Sequence, residues 1–333
     1  MKAVADRAAE VAAGMDRAGV SRESEFAAEV VARRTVADRV VELTLRAVGG
    51  EVPRWQPGAH VDLVFTRFLT AQYSLCGDPE ARDTLTVAVQ REKGGRGSSL
   101  YVHNMVKVGE RLLVRGPRNR FPLQGAERYL LIAGGIGITP LLPMARALAA
   151  RGERWSLVYV GRSRASMPYL PQLAALGGDI EIRARDEAEP LDLDALLGAA
   201  EPGTDVYCCG PESLLVAVER RCAGRRPGSL HVERFAPKPA DPAADTTFEV
   251  ECARSGVTVQ VPPGTTILDA LDRAGVYPDA LCRVGTCAEC EVAVLEGTAD
   301  HRDFVLGPQE REHGDVMMIC CSRALTPRLV LDV

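Results

Sequence analysis

Tyr129-Leu-Leu-Ile-Ala-Gly-Gly-Ile-Gly-Ile-Thr-Pro140 reads as an apolar strand that runs into a glycine-rich turn and then a helix. Glycines there let backbone N–H groups approach a pyrophosphate at the positive end of a helix, and Thr139 is the expected N-cap with Pro140 at the first helical position. Pro140 occupies the place of the third glycine of G-x-G-x-x-G, so the ordinary dinucleotide fingerprint is absent and the loop alone leaves a nucleotide site and a tight turn both open. Beyond it, apolar runs at 155–160 and 206–209 alternate with helical patterns at 141–150, 191–197 and 212–221. Strand alternating with helix predicts a parallel α/β sheet. The run Val206-Tyr-Cys-Cys-Gly-Pro211 ends in a turn at a strand's C-terminal edge, where open α/β sheets bind ligands.

Upstream the texture differs. Short alternating segments such as Val41-Glu-Leu-Thr-Leu45, His60-Val-Asp-Leu-Val-Phe65 and Leu85-Thr-Val-Ala-Val89 are separated by turn clusters, which predicts an all-β barrel. Downstream, residues 236–245 hold three prolines and little apolar surface, a semi-extended linker. A third domain follows with a hairpin at 247–251 and 257–261, a short helix near 266–274 and a cysteine-rich loop. The expected division is an N-terminal extension (1–25), a barrel (26–124), an α/β domain (125–236), a linker (237–245) and a C-terminal domain (246–333).

At 333 residues the chain has length for two or three domains. Its 26% charged residues and net charge of −5 lack the basic excess of a nucleic-acid reader. Residues 246–333 carry 14 acidic against 7 basic side chains, or −7, and the remainder 31 against 33, or +2. An acidic face can steer a partner with a basic patch. The first 24 residues lack a secretory apolar core and no stretch suits a membrane span, so the expectation is a cytoplasmic chain.

Of ten cysteines, Cys282-Arg-Val-Gly-Thr-Cys287-Ala-Glu-Cys290 and Cys320 carry the plant-type C-x4-C-x2-C…C spacing of a 2Fe-2S cluster. Four thiolates also suit zinc, but zinc usually takes pairs of short C-x2-C knuckles. Either Cys320 or Cys321 could be the fourth ligand, because adjacent side chains on a strand point to opposite faces and only one can reach. Cys222 and Cys252 are expected to pack as small apolar groups. His60, His103, His231 and His313 stand singly and read as structural. His301-Arg302-Asp303 has the letters of a kinase catalytic triplet, but no companion motif supports that reading.

Over residues 26–333 the chain resembles the phthalate dioxygenase reductase and vanillate demethylase reductase family, ferredoxin-NADP reductase-like flavoproteins with a plant-type ferredoxin domain at the C-terminus. The resemblance rests on Tyr73-Ser-Leu-Cys-Gly-Asp-Pro79, Arg96-Gly-Ser-Ser99, Gly134-Gly-Ile-Gly-Ile-Thr-Pro140, Tyr207-Cys-Cys-Gly-Pro211, His231-Val-Glu-Arg-Phe235, the cysteine loop, Asp300-His-Arg-Asp303 and Cys320-Cys-Ser-Arg-Ala324 with Leu329-Val-Leu-Asp332. It implies a Greek-key flavin barrel, a Rossmann-like nucleotide domain and a β-grasp ferredoxin domain.

The same resemblance implies that Tyr73, Ser74 and Leu75 meet a flavin, with the Ser74 hydroxyl near its N5, and that Gly97, Ser98 and Ser99 hold its phosphate. Gly135, Gly137 and Thr139 take the nicotinamide nucleotide's pyrophosphate. Cys209, Gly210 and Pro211 lie by the nicotinamide, Phe235 covers the flavin, and the family's Cys-x-Ser-Arg ending makes Cys320 the fourth cluster ligand. Two positions depart from the pattern. Ala71 stands where the family carries a phosphate-binding Arg, and Arg67, four residues along a strand, is ~13 Å away. Ala288 stands where plant-type loops carry Gly.

The implied function is an NADH-dependent reductase, with FMN as usual flavin, passing electrons singly through a 2Fe-2S cluster to a Rieske aromatic oxygenase or a haem-thiolate monooxygenase. FAD and NADPH stay open, since Ala71 removes a phosphate ligand and Arg162 or Arg164 could meet a 2′-phosphate. Plant-type clusters near about −400 mV run downhill to Rieske centres at about −150 mV or above. The alternatives are the electron-transfer subunit of a dehydrogenase and a non-catalytic redox sensor. The expected state is a monomer.

Overall fold

A computed structural model describes residues 24–66, 69–92, 97–223, 228–235, 245–280, 283–285, 288–303 and 305–333. The contacts divide the chain into two compact units, with the division between Arg234 and Phe235.

The first unit opens with strands β1 (Glu25–Ala37), β2 (Val40–Ala47), β3 (Ala59–Thr66), β4 (Leu69–Ser74) and β5 (Thr84–Gln90), then helix α1 (Ser98–Asn104) and strand β6 (Arg111–Asn119). They form an antiparallel sheet in the order β4-β3-β6-β1-β2-β5. A bridge between Leu75 and Val87 joins the two edge strands and closes a barrel. Alternation does the rest: Val41, Leu43 and Leu45 of β2 and Leu85, Val87 and Val89 of β5 point inward and are buried together.

The chain continues through β7 (Arg128–Gly134), α2 (Ile138–Arg151), β8 (Trp155–Gly161), α3 (Leu170–Ala174), β9 (Asp179–Ala184), α4 (Leu193–Ala199), β10 (Thr204–Cys209), α5 (Glu212–Cys222) and β11 (Leu230–Glu233). The sheet order is β11-β10-β7-β8-β9, every pairing parallel. All six residues of β10 are buried, as a central parallel strand covered on both faces requires. The C-terminal ends of β7, β10 and β11 therefore lie side by side, and the turns leaving β7 and β10 emerge there together.

The second unit holds β12 (Phe248–Cys252), β13 (Thr258–Val261), α6 (Ile267–Arg273), β14 (Glu291–Glu296), β15 (Ala299–Asp300), α7 (Pro308–His313), β16 (Val316–Met318), β17 (Arg323–Ala324) and β18 (Arg328–Leu331). A mixed sheet runs β13-β12-β18-β14-β16, with β12 parallel to β18 and the other pairings antiparallel. Thr266 caps α6 by accepting from the Asp269 N–H at 3.0 Å, and Ile267, Leu268 and Leu271 bury one face of that helix. No helix among the described residues is long and apolar enough to cross a membrane.

The helix after the glycine turn starts earlier than the sequence suggests. Residues Gly135–Gly137 form a 3-10 turn that runs straight into α2, so Gly137 is its N-cap and Thr139 lies inside the first turn. The Thr139 hydroxyl donates to the Ile136 carbonyl at 2.9 Å instead of accepting a capping bond.

Candidate functional site

β4, β10 and β11 each deliver one side chain to a common point. Ser74, the last residue of β4, donates from Oγ to Glu233 Oε2 at 3.2 Å. Cys209, the last of β10, has its Sγ 3.9 Å from the same oxygen. Glu233 ends β11. Burial pushes the Glu233 carboxyl up to about 8, against the lowering effect of the Ser74 and Cys209 contacts, and burial also holds Cys209 well above the usual thiol range. With its carboxyl raised in this way, Glu233 can hold a proton near neutral pH beside a hydroxyl and a neutral thiol, while its Oε2 accepts from Ser74. The sequence motifs mark Ser74 and Cys209, whereas Glu233 stands out only as part of His231-Val-Glu-Arg-Phe235. Its signal was a carboxylate at a strand end beside a glycine turn, which only the sheet order brings to Ser74.

The glycines of the turn act chiefly through their lack of Cβ. A Cβ on Gly137 would lie 2.2 Å from the Cys209 carbonyl oxygen, one on Gly134 2.6 Å from Pro211 and one on Gly210 2.9 Å from the Gly134 Cα. Two loops pack backbone to backbone, and this holds Cys209 beside the start of α2. Gly135 differs: its φ is +56° and the space beside it is open, as a backbone lining a ligand groove needs. Thr139 is buried, with its hydroxyl hydrogen engaged within the turn. Pro211 caps α5.

On the barrel, Tyr73 packs edge to face on Phe65, with ring centroids 6.5 Å apart, and Phe65 packs on Tyr101 of α1. Leu75 turns its side chain fully into the barrel core and its N–H donates to Ala59 O at 2.8 Å, so its side chain does not reach outward. Gly97 caps α1 with φ +96° and open space at its Cβ position. Ser98 begins that helix, and the Ser99 oxygen accepts from the Glu92 N–H at 3.2 Å. Arg67 and Arg96 lie outside the described residues. Ala71 pairs with Leu63 across β3 and β4. Phe235, 45% exposed, falls in the C-terminal unit.

In that unit Cys290 and Cys320 are both buried in one core, and the Ile319 N–H donates to Cys290 O at 3.2 Å. The segments that carry Cys290 and Cys320 thus run side by side. Cys282 and Cys287 lie outside the described residues. Cys320 and Cys321 sit in a turn after β16, not on a strand, so alternation across a sheet does not separate them. A Cβ on Gly285 would come within 2.5 Å of Cys321 Sγ and 2.9 Å of Asp303 Cα, which fixes glycine there at φ +72°. Arg283 (φ +54°) and Ala288 (φ +70°) are also left-handed. Arg283 is tied to Asp269 at 3.0 Å and Asp272 at 2.7 Å on α6. A tightly wound loop with buried sulfur on two adjoining segments fits a cluster held by four thiolates.

The His301-Arg302-Asp303 triplet is structural. Asp303 Oδ2 accepts from the Val305 and Leu306 N–H groups, and Arg302 pairs with Asp245 and Asp300. Arg323 is buried over the Phe248 ring and donates to Thr246 O and Pro262 O. His231 bonds Asp205 at 2.9 Å and stacks on Tyr207, and His103 meets Val89 O at 3.0 Å. Cys252 is buried in the core of its unit, and Cys222 packs against a core as well.

Comparison with known proteins gives the following. Residues 250–325 match the family model of the 2Fe-2S iron-sulfur cluster binding domain. The chain is 44% identical over 300 residues to the phenoxybenzoate dioxygenase subunit beta of Ectopseudomonas oleovorans, covering 89% of this chain and 94% of that one. A solved phthalate dioxygenase reductase, described as a modular structure for electron transfer from pyridine nucleotides to a 2Fe-2S centre, matches with TM-score 0.70 and 33% identity over 93% of this chain and 98% of its own. An intact type IV self-sufficient cytochrome P450 monooxygenase matches with TM-score 0.79 and 41% identity over 93% of this chain, which spans only 41% of that longer protein.

Proposed function

The chain belongs to the family of phthalate dioxygenase reductase and the vanillate O-demethylase oxidoreductases, and from that premise we propose how its own residues serve an NAD(P)H-dependent flavin and iron–sulfur reductase of an oxygenase system. When bound, the nicotinamide nucleotide supplies a hydride, the flavin takes it and releases electrons singly, and the 2Fe-2S cluster carries one at a time to the oxygenase. The observation that carries the reading is the meeting of Ser74, Cys209 and Glu233 at the ends of β4, β10 and β11.

Each of these has a task. Ser74 Oγ orients the reacting edge of the flavin, and the Glu233 carboxyl holds the proton that edge exchanges with solvent. Cys209, backed by Gly210 and Pro211, fills the floor beneath the nicotinamide and keeps water out. Tyr73 packs on the flavin ring, and Gly97, Ser98 and Ser99 take its phosphate at the start of α1. Gly135, Gly137 and Thr139 line the nucleotide pyrophosphate. Cys282, Cys287, Cys290 and Cys320 ligate the cluster, Cys320 by the family's Cys-x-Ser-Arg ending.

We assign NADH over NADPH; of the two arginines that could meet a 2′-phosphate, Arg162 and Arg164, the second pairs with Glu187 at 2.7 Å. FMN is the flavin by resemblance, and release of the bound flavin followed by chromatography tests it. The oxygenase is a Rieske aromatic enzyme or a haem-thiolate monooxygenase. A cytoplasmic monomer is the working state, the compartment argued from cysteines placed as ligands rather than bridges.

The test is NADH-dependent reduction of cytochrome c, a one-electron acceptor. Rapid turnover that collapses on Cys290→Ser supports the reading. No turnover by the cofactor-loaded wild type removes it, and a strong preference for NADPH overturns the nucleotide assignment.

A further inference from the structure

Where the barrel meets the parallel sheet, a buried polar network lies outside the hydride site. Tyr169, the N-cap of α3, has φ +70°, a left-handed conformation that L-residues with a large side chain avoid, and its side chain is buried. Its hydroxyl donates to Glu42 Oε2 on β2 at 2.9 Å and lies 3.2 Å from Cys76 Sγ. Arg34 of β1 donates to the other oxygen of Glu42 at 3.0 Å. From α2, Arg146 donates to the carbonyls of Cys76 and Gly77, each at 3.1 Å.

Cys76 and Gly77 follow Ser74 by two and three residues, and α2 begins at the loop that packs on Cys209. The network therefore ties the strand that carries Ser74 to the sheet that carries Cys209 and Glu233. Apolar side chains could fill this seam at no loss of stability. What hydrogen bonds add is direction, because a network whose members satisfy one another holds one register of the two sheets where apolar packing would let them slide.

We propose that Tyr169 is a positioning residue for hydride transfer: held between Glu42 and Cys76, its hydroxyl sets the distance between the flavin strand at Ser74 and the nicotinamide floor at Cys209. The inference rests on the reductase reading, since it needs nicotinamide and flavin to meet at Ser74. Arg146 acts in the same sense from α2. A displacement of ~1 Å at reacting atoms costs about a hundred-fold in rate, so loss of one hydroxyl from the seam is expected to cost about ten-fold.

The experiment compares flavin-loaded wild type, Tyr169→Phe and Arg146→Met by anaerobic stopped-flow with NADH and 4-deuterated NADH, and follows amide hydrogen exchange of residues 73–77. In Tyr169→Phe the limiting rate of flavin bleaching is expected to fall about ten-fold, half-saturating NADH to stay within about two-fold, the deuterium effect to be at least that of wild type, and exchange at 73–77 to rise. If Tyr169→Phe fails to fold, Arg146→Met, which leaves the Tyr169 ring in place, is expected to show the same split. Unchanged limiting rates overturn the inference, as does a loss confined to half-saturation or to flavin content. A wild type that NADH does not bleach would overturn the reductase reading itself.

Discussion

Glu233 holds its proton for a physical reason that also makes it titrate in a useful range. Burial raises its carboxyl from the ordinary 4.5 to about 8, so the folded protein binds a proton that the unfolded chain releases. Its contribution to stability is complete below pH ~4.5 and is lost as pH rises through ~8. Glu233→Gln removes that titration. Thermal melts of the two proteins from pH 5 to 9 should show wild type losing ground to the variant as pH climbs, and parallel curves would contradict the assignment. Ala288 is the other informative residue. With φ +70°, its methyl costs about 1 kcal/mol that glycine would not. Ala288→Gly should slow loss of the cluster's visible absorption under chelator or urea, and faster loss would show that the methyl packs usefully. The sequence marked this position by its departure from the family pattern, but the reason, a left-handed backbone, appears only in the structure.

At the scale of elements, much was legible because local signals agree. Thr266 before Ile267-Leu268 marks the start of α6, and the alternation over β12 and β13 marks a hairpin. The start of α2 departs from the sequence expectation because Thr139-Pro140 has the composition of a cap while the 3-10 turn of Gly135–Gly137 already begins the winding. Local chemistry favoured Thr139; packing against the Cys209 loop chose Gly137. That contact predicts that Gly137→Ala, with a Cβ 2.2 Å from the Cys209 carbonyl, displaces the loop and raises half-saturating NADH at least ten-fold. Gly152→Ala, at the far end of α2, has room for its methyl and pays only for its positive φ, so its effect should be a small loss of stability. Equal NADH affinities for the two variants would contradict the loop-to-loop account.

At the scale of the whole molecule, three textures of sequence became the three large sheets: alternating strands a barrel, apolar runs with helices a parallel sheet, and a hairpin with a cysteine loop a mixed sheet beside the short β15-β17 pair. What stayed illegible was convergence. Nothing in the order of Ser74, Cys209 and Glu233 says that they meet, because their contact depends on β11, β10 and β7 lying in that spatial order and on the barrel's β4 ending against them. Tyr169 with Cys76 and Glu42 was hidden for the same reason. The division of labour between the units predicts that Cys290→Ser still lets NADH bleach the flavin while cytochrome c reduction collapses. Loss of both together would mean that the cysteine core also supports the flavin site.

The most direct test of a carrier chain from nicotinamide through flavin to cluster is an anaerobic absorption titration of the purified protein with NADH. The account predicts that flavin absorption and the longer-wavelength cluster absorption both bleach, reaching an end point of one and a half NADH per chain, two electrons for the flavin and one for the cluster. Bleaching of the flavin alone, or no visible absorption at all, would contradict it.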